Sequence, residues 1–239
     1  MKKRSFFVFC IIALIMLTGH TVYRVMNSRS FQLLGDIIAK VNTNEKVVAL
    51  TFDDGPTDRT DEVLKVLEEA DIKATFFLVG QSIESKPEYA EKIVKAGHEV
   101  GNHTYSHKRM IFKPYSYIRG EVEKTDELIR KAGCQGEILF RPPNGKKLLL
   151  LPYYLSRNNR KTVMWNIEPD SFPEIASSSK RIAGYVKDNI SPGSIILLHV
   201  MYENKESKSL EAIKDIAANL KSMGYEFKTV SELLEYEDK

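Results

Sequence analysis

The stretch Thr51-Phe52-Asp53-Asp54-Gly55-Pro56 follows the run Lys46-Val47-Val48-Ala49-Leu50, and the fold is best worked out from this junction. The run is short, apolar and rich in valine, which predicts a buried β-strand. Gly55-Pro56 cannot continue a strand ladder, so the strand ends at the two carboxylates. Because neighbouring strand residues point to opposite faces, Asp53 and Asp54 can serve one site only if the chain turns there. Such a pair suits a metal ligand beside a general base, while a solvated surface turn is the alternative that these residues alone leave open.

The composition of the chain is that of an ordinary globular protein. It has 239 residues, of which 43% are hydrophobic and 28% charged, enough for one large domain or two small ones. The net charge is +3, yet residues 1–30 contain five basic residues and no acidic one, so the remainder carries −2. A nearly neutral, slightly acidic domain argues against nucleic acid as a partner.

The two cysteines, Cys10 and Cys134, do not predict a disulfide framework. Cys10 lies inside the apolar N-terminal run, where pairing with the rest of the chain is not expected. Cys134 is expected to be a small buried or loop hydrophobe rather than a nucleophile.

The N-terminus reads as an export signal. Met1-Lys2-Lys3-Arg4 precedes the apolar run 6–17, and a basic head before such a run is held in the cytoplasm. The strictly apolar part has the length of a signal-peptide core, whereas its extension to residue 23 gives a marginal membrane span. Without a clear small-x-small cleavage site, the pattern favours an uncleaved anchor over a cleaved signal. We therefore expect a signal peptide or anchor at 1–25, a tether at 26–43, and an extracytoplasmic domain at 44–237 that is membrane-anchored or secreted.

Strand and helix signals alternate from residue 46 onward, after a polar stretch with a weak helix signal at 31–41. The predicted strands are 46–52, 74–79, 99–101, 138–140, 162–165, 194–198 and 227–230. The predicted helices are 60–70, 87–96, 117–132, 178–189, 209–223 and a last turn from Ser231. This alternation predicts an α/β fold with a mostly parallel sheet, of (β/α) barrel type, distorted or incomplete with seven or eight strands. An open doubly wound sheet is the alternative.

Distinctive polar residues follow the predicted strands one after another. In both candidate folds, functional residues gather at the carboxyl ends of the strands. The residues at these positions are Asp53, Asp54, His103, His107, the loop Arg141-Pro142-Pro143-Asn144-Gly145, Glu168, Asp170 and His199.

The histidines of Asn102-His103-Thr104-Tyr105-Ser106-His107 are four residues apart. On a helical turn, residues at this spacing share a face about 5–6 Å apart, so both imidazoles can bind one metal. With Asp54 they would form a two-histidine, one-carboxylate set with open positions, which suits zinc or another first-row ion. His98 is expected to be a strand or surface histidine.

Five motifs occur in a fixed order along the chain: Thr-Phe-Asp-Asp-Gly-Pro, His-Thr-x-x-His, Arg-x-Pro-x-Gly, Trp before an acidic segment, and Leu-Leu-His. In this order they resemble the polysaccharide deacetylases with the NodB homology domain, carbohydrate esterase family 4. The resemblance covers roughly residues 44–237. It implies a hydrolase that acts on carbon–nitrogen bonds other than peptide bonds.

The resemblance also implies a divalent metal, zinc or alternatively cobalt or another first-row ion. Asp54, His103 and His107 would hold this metal, and Asp53 would act as the general base. Arg141 would orient Asp53 and keep it ionised.

Further roles follow from the same resemblance. His199 would protonate the departing amine, and Asp170 would orient it, although Glu168 remains open as its partner. The backbone N–H of Asn144 would hold the oxyanion. The residues expected to shape the substrate site are Pro143, Trp165 and, around the acetyl methyl group, Leu198.

Three departures from the family pattern are visible. Asn144 stands where an aromatic residue is usual, and the acidic segment after Trp165 is one residue shorter, which leaves Glu168 or Asp170 open. Val200 replaces the aspartate that often follows the Leu-Leu-His motif.

The function expected from the sequence is removal of N-acetyl groups from an extracellular amino-sugar polymer, peptidoglycan or a chitin-like N-acetylglucosamine chain. One alternative is an esterase for O-acetylated polysaccharides of the xylan type. Another is a catalytically weak cell-surface protein that binds carbohydrate. The expected partners are the polysaccharide and the cytoplasmic membrane, with no nucleic acid, and the expected state is a monomer.

Overall fold

The N-terminal segment is one long helix that precedes the domain. The computed structural model of the chain describes residues 2–201 and 208–238. Helix α1 spans Lys2–Asn27, 26 residues, and its part Phe6–Asn27 has a mean hydropathy of 2.1 and no buried residues. This part is long and apolar enough to cross a membrane, and it continues past residue 25, the predicted end of the signal peptide or anchor.

The weak helix predicted at 31–41 is wrong. This segment instead contains strand β1 (Ile37–Ile38), which pairs in parallel with β5 (Thr162–Val163). Gly35 before it has φ 71°, a left-handed conformation that interrupts a helix, and Val41 is 1% exposed. Residues 37–41 are thus packed into the fold, although the sequence placed the start of the domain at residue 44.

Strand β2 (Val47–Asp53) is the central strand, and all seven of its residues are buried. Its even-numbered residues Val48, Leu50 and Phe52 pack in the apolar cluster that also contains most of the buried apolar helix residues. Its odd-numbered residues Val47 and Ala49 pack in a second cluster on the other face, inside the barrel. Asp53 ends this inner face, so the alternation of a strand buried on both sides directs its carboxylate into the barrel mouth.

The other strands surround β2. They are β3 (Thr75–Leu78), β4 (Glu99–Asn102), β6 (Ile195–Leu198) and β7 (Glu226–Lys228). The order is β4-β3-β2-β6, with β7 paired to the first part of β2, and every pairing is parallel. Single bridges from Asn102 to Phe140, from Phe140 to Thr162 and from Ile167 to Ile196 continue the ring. The fold is therefore the distorted parallel α/β barrel that the sequence predicted, with the 138–140 strand reduced to one bridging residue.

The helices surround this sheet. They are α2 (Thr60–Glu69), α3 (Gly80–Ser85), α4 (Pro87–Lys95), α5 (Tyr115–Lys131), α6 (Leu150–Arg157), α7 (Pro173–Ala176), α8 (Ser179–Asn189), α9 (Lys208–Ser222) and α10 (Val230–Leu234). The predicted helices agree with these bounds within two residues. The sequence missed α3, α6 and α7 because helices of one or two turns are too short to show a clear apolar period.

Candidate active site

Asp53 and Asp54 face the same cavity because the chain turns between them. Asp53 is the last residue of β2, and Asp54 adopts φ 64°. The cavity has a volume of about 760 Å³ at the carboxyl ends of the strands. Its lining includes Asn27, Arg29, Asp53, Asp54, His103, His107, Asn144, Lys146, Trp165, Glu168, Asp170, His199 and Ser209. The predicted clustering of polar residues at the strand ends is therefore present.

Arg141 holds Asp53 from inside the barrel. Its side chain is fully buried, and Nη1 donates to Oδ1 of Asp53 at 2.7 Å and to Oγ1 of Thr51 at 2.8 Å. Nε and Nη2 donate to the carbonyl oxygens of Val163 and Met164. Burial raises the pKa of Asp53, but the charge of Arg141, helped by His103 and His199, outweighs it and lowers the pKa below its ordinary value. Asp53 is thus an ionised carboxylate held in one position.

Asp54, His103 and His107 form one compact group of metal-ligand atoms. Oδ1 of Asp54 lies 3.1 Å from Nε2 of His107 and 3.9 Å from Nε2 of His103. One ligand atom of each residue lies within 4.8 Å of the others. His103 Nδ1 lies 2.8 Å from the carbonyl oxygen of Arg141, so the tautomer that donates this bond directs the Nε2 lone pair into the group. Burial lowers the pKa of His103 despite the neighbouring carboxylates, which favours the neutral imidazole that binds metals.

The two histidines do not lie on a helical turn, so the geometry expected from their spacing is wrong. They lie in a loop after β4, where Thr104 has φ 69° and His107 has φ 54°. Their ring centroids are 4.9 Å apart. The side-chain oxygen of Asn102 accepts from the Thr104 N–H at 2.8 Å, and Glu121 accepts from the N–H and hydroxyl of Ser106, both at 2.8 Å. These two bracing residues take the place of helical hydrogen bonds.

His199 is held by Asp170 rather than by Glu168. Oδ2 of Asp170 accepts from the His199 N–H at 2.7 Å and from the Ser209 hydroxyl at 3.0 Å, and Oδ1 lies 3.3 Å from Nδ1 of His199. Burial lowers the pKa of His199, but the hydrogen bond and charge of Asp170, with the charges of Asp53 and Asp54, outweigh it and raise the pKa to about 9. The imidazole is therefore protonated at neutral pH and can serve as a proton donor.

Glu168 makes different contacts. Its Oε2 accepts from Trp165 Nε1 at 2.8 Å and from Nη2 of Arg29 at 2.5 Å. Arg29 belongs to the segment after α1, and its guanidinium carbon lies 4.7 Å from the centre of the Trp165 ring. The wall of the cavity beside Trp165 is therefore built partly from the predicted tether.

The loop after Arg141 brings the Asn144 backbone to the cavity. Pro143–Gly145 forms a short 3-10 turn in which Asn144 has φ 54°. The N–H groups of Gly145 and Lys146 already donate to the carbonyl oxygens of Pro142 and Pro143. These two N–H groups are therefore occupied, and Pro142 and Pro143 have no N–H. The backbone N–H of Asn144 is the donor that this turn can offer to an oxyanion.

Comparison with known proteins identifies the family. The polysaccharide deacetylase family profile matches residues 40–162. The chain belongs to the polysaccharide deacetylase family. A peptidoglycan-N-acetylglucosamine deacetylase of Bacillus cereus is 32% identical over 203 residues, which cover 84% of this chain and 94% of that protein. A bifunctional xylanase/deacetylase of Pseudobutyrivibrio xylanivorans is 36% identical over 80% of this chain, which spans only 31% of that longer protein. The chain is an enzyme of the class predicted from its motifs, a hydrolase of carbon–nitrogen bonds other than peptide bonds.

Solved structures share the fold of this deacetylase. A peptidoglycan N-acetylglucosamine deacetylase in complex with an N-hydroxybenzamide has a TM-score of 0.77 and 31% identity, covering 83% of this chain and 94% of that one. A carbohydrate esterase family 4 pseudoenzyme from Bacillus anthracis has a TM-score of 0.75 and 29% identity, covering 84% and 69%. A family 4 acetyl xylan esterase from Clostridium thermocellum, in complex with a cobalt ion, has a TM-score of 0.70 and 33% identity, covering 80% and 91%.

The donor set of this deacetylase fits a divalent first-row ion. One carboxylate and two imidazoles offer three ligand atoms and leave coordination positions for water and substrate. His98 lies outside this group, but it is a buried residue directly before β4 rather than the strand or surface histidine that was expected. Its Nδ1 accepts from the Ala74 N–H at 3.2 Å in the buried core.

Two residues predicted to shape the substrate site do not line the cavity. Pro143 and Leu198 are buried and absent from its lining, whereas Trp165 lines it and is 5% exposed. Cys134 is half-buried against the apolar core, which agrees with the prediction that it is a small hydrophobic residue.

Sequence reasoning missed several residues that build the site. Asn102 and Glu121 brace the histidine loop, Ser209 bonds Asp170, and Arg29 stacks on Trp165. A buried polar residue directly before a histidine motif was a usable signal for Asn102. Glu121, Ser209 and Arg29 carried no signal because each reaches the site from a distant segment.

Proposed function

We propose that this deacetylase removes N-acetyl groups from an extracellular amino-sugar polymer, with peptidoglycan as the first candidate. The observation that carries the proposal is the convergence on one cavity of an ionised base (Asp53), a compact metal-ligand group and a cationic acid (His199). The name of the Bacillus cereus relative, a peptidoglycan-N-acetylglucosamine deacetylase, supports this substrate class.

Asp54, His103 and His107 would hold the metal ion, for which we propose zinc. When bound, such an ion supplies Lewis acidity that polarises the acetyl carbonyl and acidifies water. The cobalt complex of the acetyl xylan esterase makes cobalt a suitable test ion.

The protein residues account for the proton movements of amide hydrolysis. Asp53 accepts a proton from the attacking water as the water oxygen bonds to the acetyl carbon. The N–H of Asn144 donates to the oxyanion that develops on the former carbonyl oxygen. His199 then donates its proton to the sugar nitrogen as the carbon–nitrogen bond breaks, which releases acetate and leaves a free amine. Arg141 and Asp170 keep the base and the acid oriented throughout.

A second candidate reaction is O-deacetylation of an acetylated polysaccharide such as xylan. The names of the Pseudobutyrivibrio and Clostridium relatives favour it. An amine must be protonated to leave, whereas an alcohol depends less on having a protonated donor at hand. The cationic state of His199 up to a pKa of about 9 therefore favours the N-acetyl substrate. A third candidate is a cell-surface protein that binds carbohydrate without turning it over. One of the similar structures is named a pseudoenzyme, which favours this candidate.

The location that we propose follows from α1. Its basic N-terminus and exposed apolar surface would anchor the domain on the outer side of the cytoplasmic membrane, facing the cell wall. We propose that the anchored protein is a monomer.

A panel of polymers tests the proposed reaction. The full chain, supplied with zinc or cobalt, is incubated with N-acetylglucosamine polymers, peptidoglycan and acetylated xylan, and released acetate is measured. We expect acetate from the amino-sugar polymers at a higher kcat/KM than from xylan. A reversed preference would favour the esterase, and bound metal without acetate from any polymer would favour the binding protein.

A further inference from the structure

The last residue of α1 and the segment that follows it form one wall of the catalytic cavity. Asn27 and Arg29 line the cavity together with the proposed catalytic residues. Two lysines fasten this segment to the loop after Gly145. The ammonium of Lys146 donates to the side-chain oxygen of Asn27, and that of Lys147 donates to the carbonyl oxygen of Ser28. The active site is thus completed by residues outside both the predicted domain and the matched part of the family profile, which begins at residue 40.

Arg29 has a fixed position on this wall and a free edge. Its guanidinium lies 4.7 Å from the Trp165 ring centre and donates through Nη2 to Glu168 at 2.5 Å. Glu168 also accepts from the Trp165 indole, so the three side chains form one unit. The Glu168 side chain is 10% exposed but that of Arg29 is 45% exposed. Because a guanidinium carries five N–H donors, it keeps donors for a ligand while the ion pair orients it.

The charges around the cavity favour an anionic group at this wall. The carboxylates of Asp53 and Asp170 are occupied by Arg141 and His199. Lys146, on the same wall as Arg29, bonds a neutral amide, and among the described residues no ion pair includes it. Arg29 offers a guanidinium edge, and Lys146, which bonds Asn27 two residues before Arg29, offers an ammonium on the same wall. Two such cations are suited to a carboxylate.

We propose that Arg29, with Lys146, binds a carboxylate carried by the glycan and makes Arg29 a specificity-determining residue. The inference rests on the proposed function, since it assigns a charged substituent to the same substrate. Two sources share this chemistry in peptidoglycan: the lactyl carboxylate of a muramic acid residue whose peptide has been removed, and the carboxylates of an attached peptide.

Steady-state kinetics with three substrates test the proposal. Full-length protein in detergent, loaded with metal, is assayed on a neutral N-acetylglucosamine oligosaccharide, on peptide-free glycan strands and on peptide-bearing strands. We expect Arg29→Gln to raise KM about tenfold for a carboxylate-bearing glycan and to leave its kcat within twofold of the wild type. For the neutral substrate, both KM and kcat should stay within twofold. The larger effect on peptide-free or on peptide-bearing strands identifies the source of the carboxylate.

Matched variants separate this role from a structural one. Arg29→Lys keeps the charge and should recover most of the affinity for the carboxylated glycan. Arg24→Gln removes a cation from α1 outside the cavity and should change KM and kcat for neither substrate. Equal changes of KM for neutral and carboxylated substrates in Arg29→Gln would overturn the proposal. If the wild-type protein releases acetate from none of the three, the proposed function itself fails.

A binding readout needs no turnover. Trp165 is the only tryptophan of the chain, so its fluorescence reports on this wall. In an Asp53→Asn background, titration with carboxylated glycan should change the fluorescence, and adding Arg29→Gln should raise Kd about tenfold. An unchanged Kd would contradict the assignment.

Discussion

The guanidinium of Arg141 donates to Oδ1 of Asp53 across 2.7 Å, in a pair whose side chains are 0% and 5% exposed. The same guanidinium lies 4.0 Å from the Phe77 ring centre. The proposed base is therefore positioned by the barrel core rather than by a surface loop. A buried charge held in this way ties catalysis to folding, because the loss of either partner leaves the other uncompensated.

Arg141→Lys should damage both activity and stability. A lysine ammonium keeps the charge but cannot reproduce the fork that bonds Asp53, Thr51 and two backbone carbonyls. We expect kcat/KM to fall about 100-fold through misplacement of the base. Denaturant unfolding should show a loss of about 2–4 kcal/mol from the lost buried hydrogen bonds. Arg130→Lys, at an exposed arginine that bonds only nearby carbonyls, is the matched control and should be close to wild type in both.

The alkaline limb of the pH profile should report on His199. Its pKa is raised to about 9, so the proton donor is present below that pH and is lost as the pH rises through it. Asp170→Asn removes the main stabilising partner and should move the limb of kcat/KM to lower pH by at least one unit. Glu168→Gln should leave the position of the limb unchanged, since Glu168 bonds Trp165 and Arg29. If the limb moved in the Glu168 variant and not in the Asp170 variant, Glu168 rather than Asp170 would be the partner of His199.

Metal binding should depend on the histidine pair. Titration of the metal-free protein with cobalt, followed by its visible spectrum, should give one site that is lost in a His103→Ala, His107→Ala variant. His98→Asn keeps a side-chain acceptor for the Ala74 N–H and should retain the site. Bound metal should also stabilise the fold, by about 2.7 kcal/mol at a free concentration 100 times Kd. Full retention of cobalt by the double variant would exclude the assigned ligands.

Glu121 should tune the metal site without touching it. Glu121→Ala removes the two hydrogen bonds between Glu121 and Ser106 and leaves Ser106 with its bond to the Tyr117 hydroxyl. By analogy with other residues that orient metal ligands, metal affinity should fall about 10–100-fold. Glu123→Ala lies on the exposed side of the same helix α5 and serves as the control. Equal affinities in the two variants would mean that the loop holds its shape without Glu121.

The sequence predicted the parts of this molecule that depend on regular patterns. The apolar run at 47–50 marked a buried strand, and the amphipathic segments placed five helices and a final turn within two residues. The rule that parallel strands have their carboxyl ends at one edge predicted that Asp53, His103 and His199 lie together. These features depend on the apolar period and on the order of strands and helices, both of which are visible in a single sequence.

What the sequence did not predict depends on contacts between distant segments. The histidine loop takes its shape from positive φ values and from Glu121, 14 residues beyond His107, not from a local helical turn. The sequence named Asp170 as the partner of His199 but left Glu168 open, because the 3-10 turn at Pro169–Ser171 sets which carboxylate faces His199. Arg29 reaches Trp165 only because the chain after α1 returns to the barrel, and no local signal encodes that path.

Asp53→Asn tests directly whether Asp53 acts as the base in a metal-dependent N-deacetylation. Acetate release from an N-acetylglucosamine polymer is followed for the metal-loaded full chain and for Asp53→Asn, with metal content determined for both. We expect acetate release by the wild type and a fall in kcat of about 100- to 10,000-fold in Asp53→Asn at unchanged metal content. Wild-type kcat in the metal-loaded Asp53→Asn variant would contradict it.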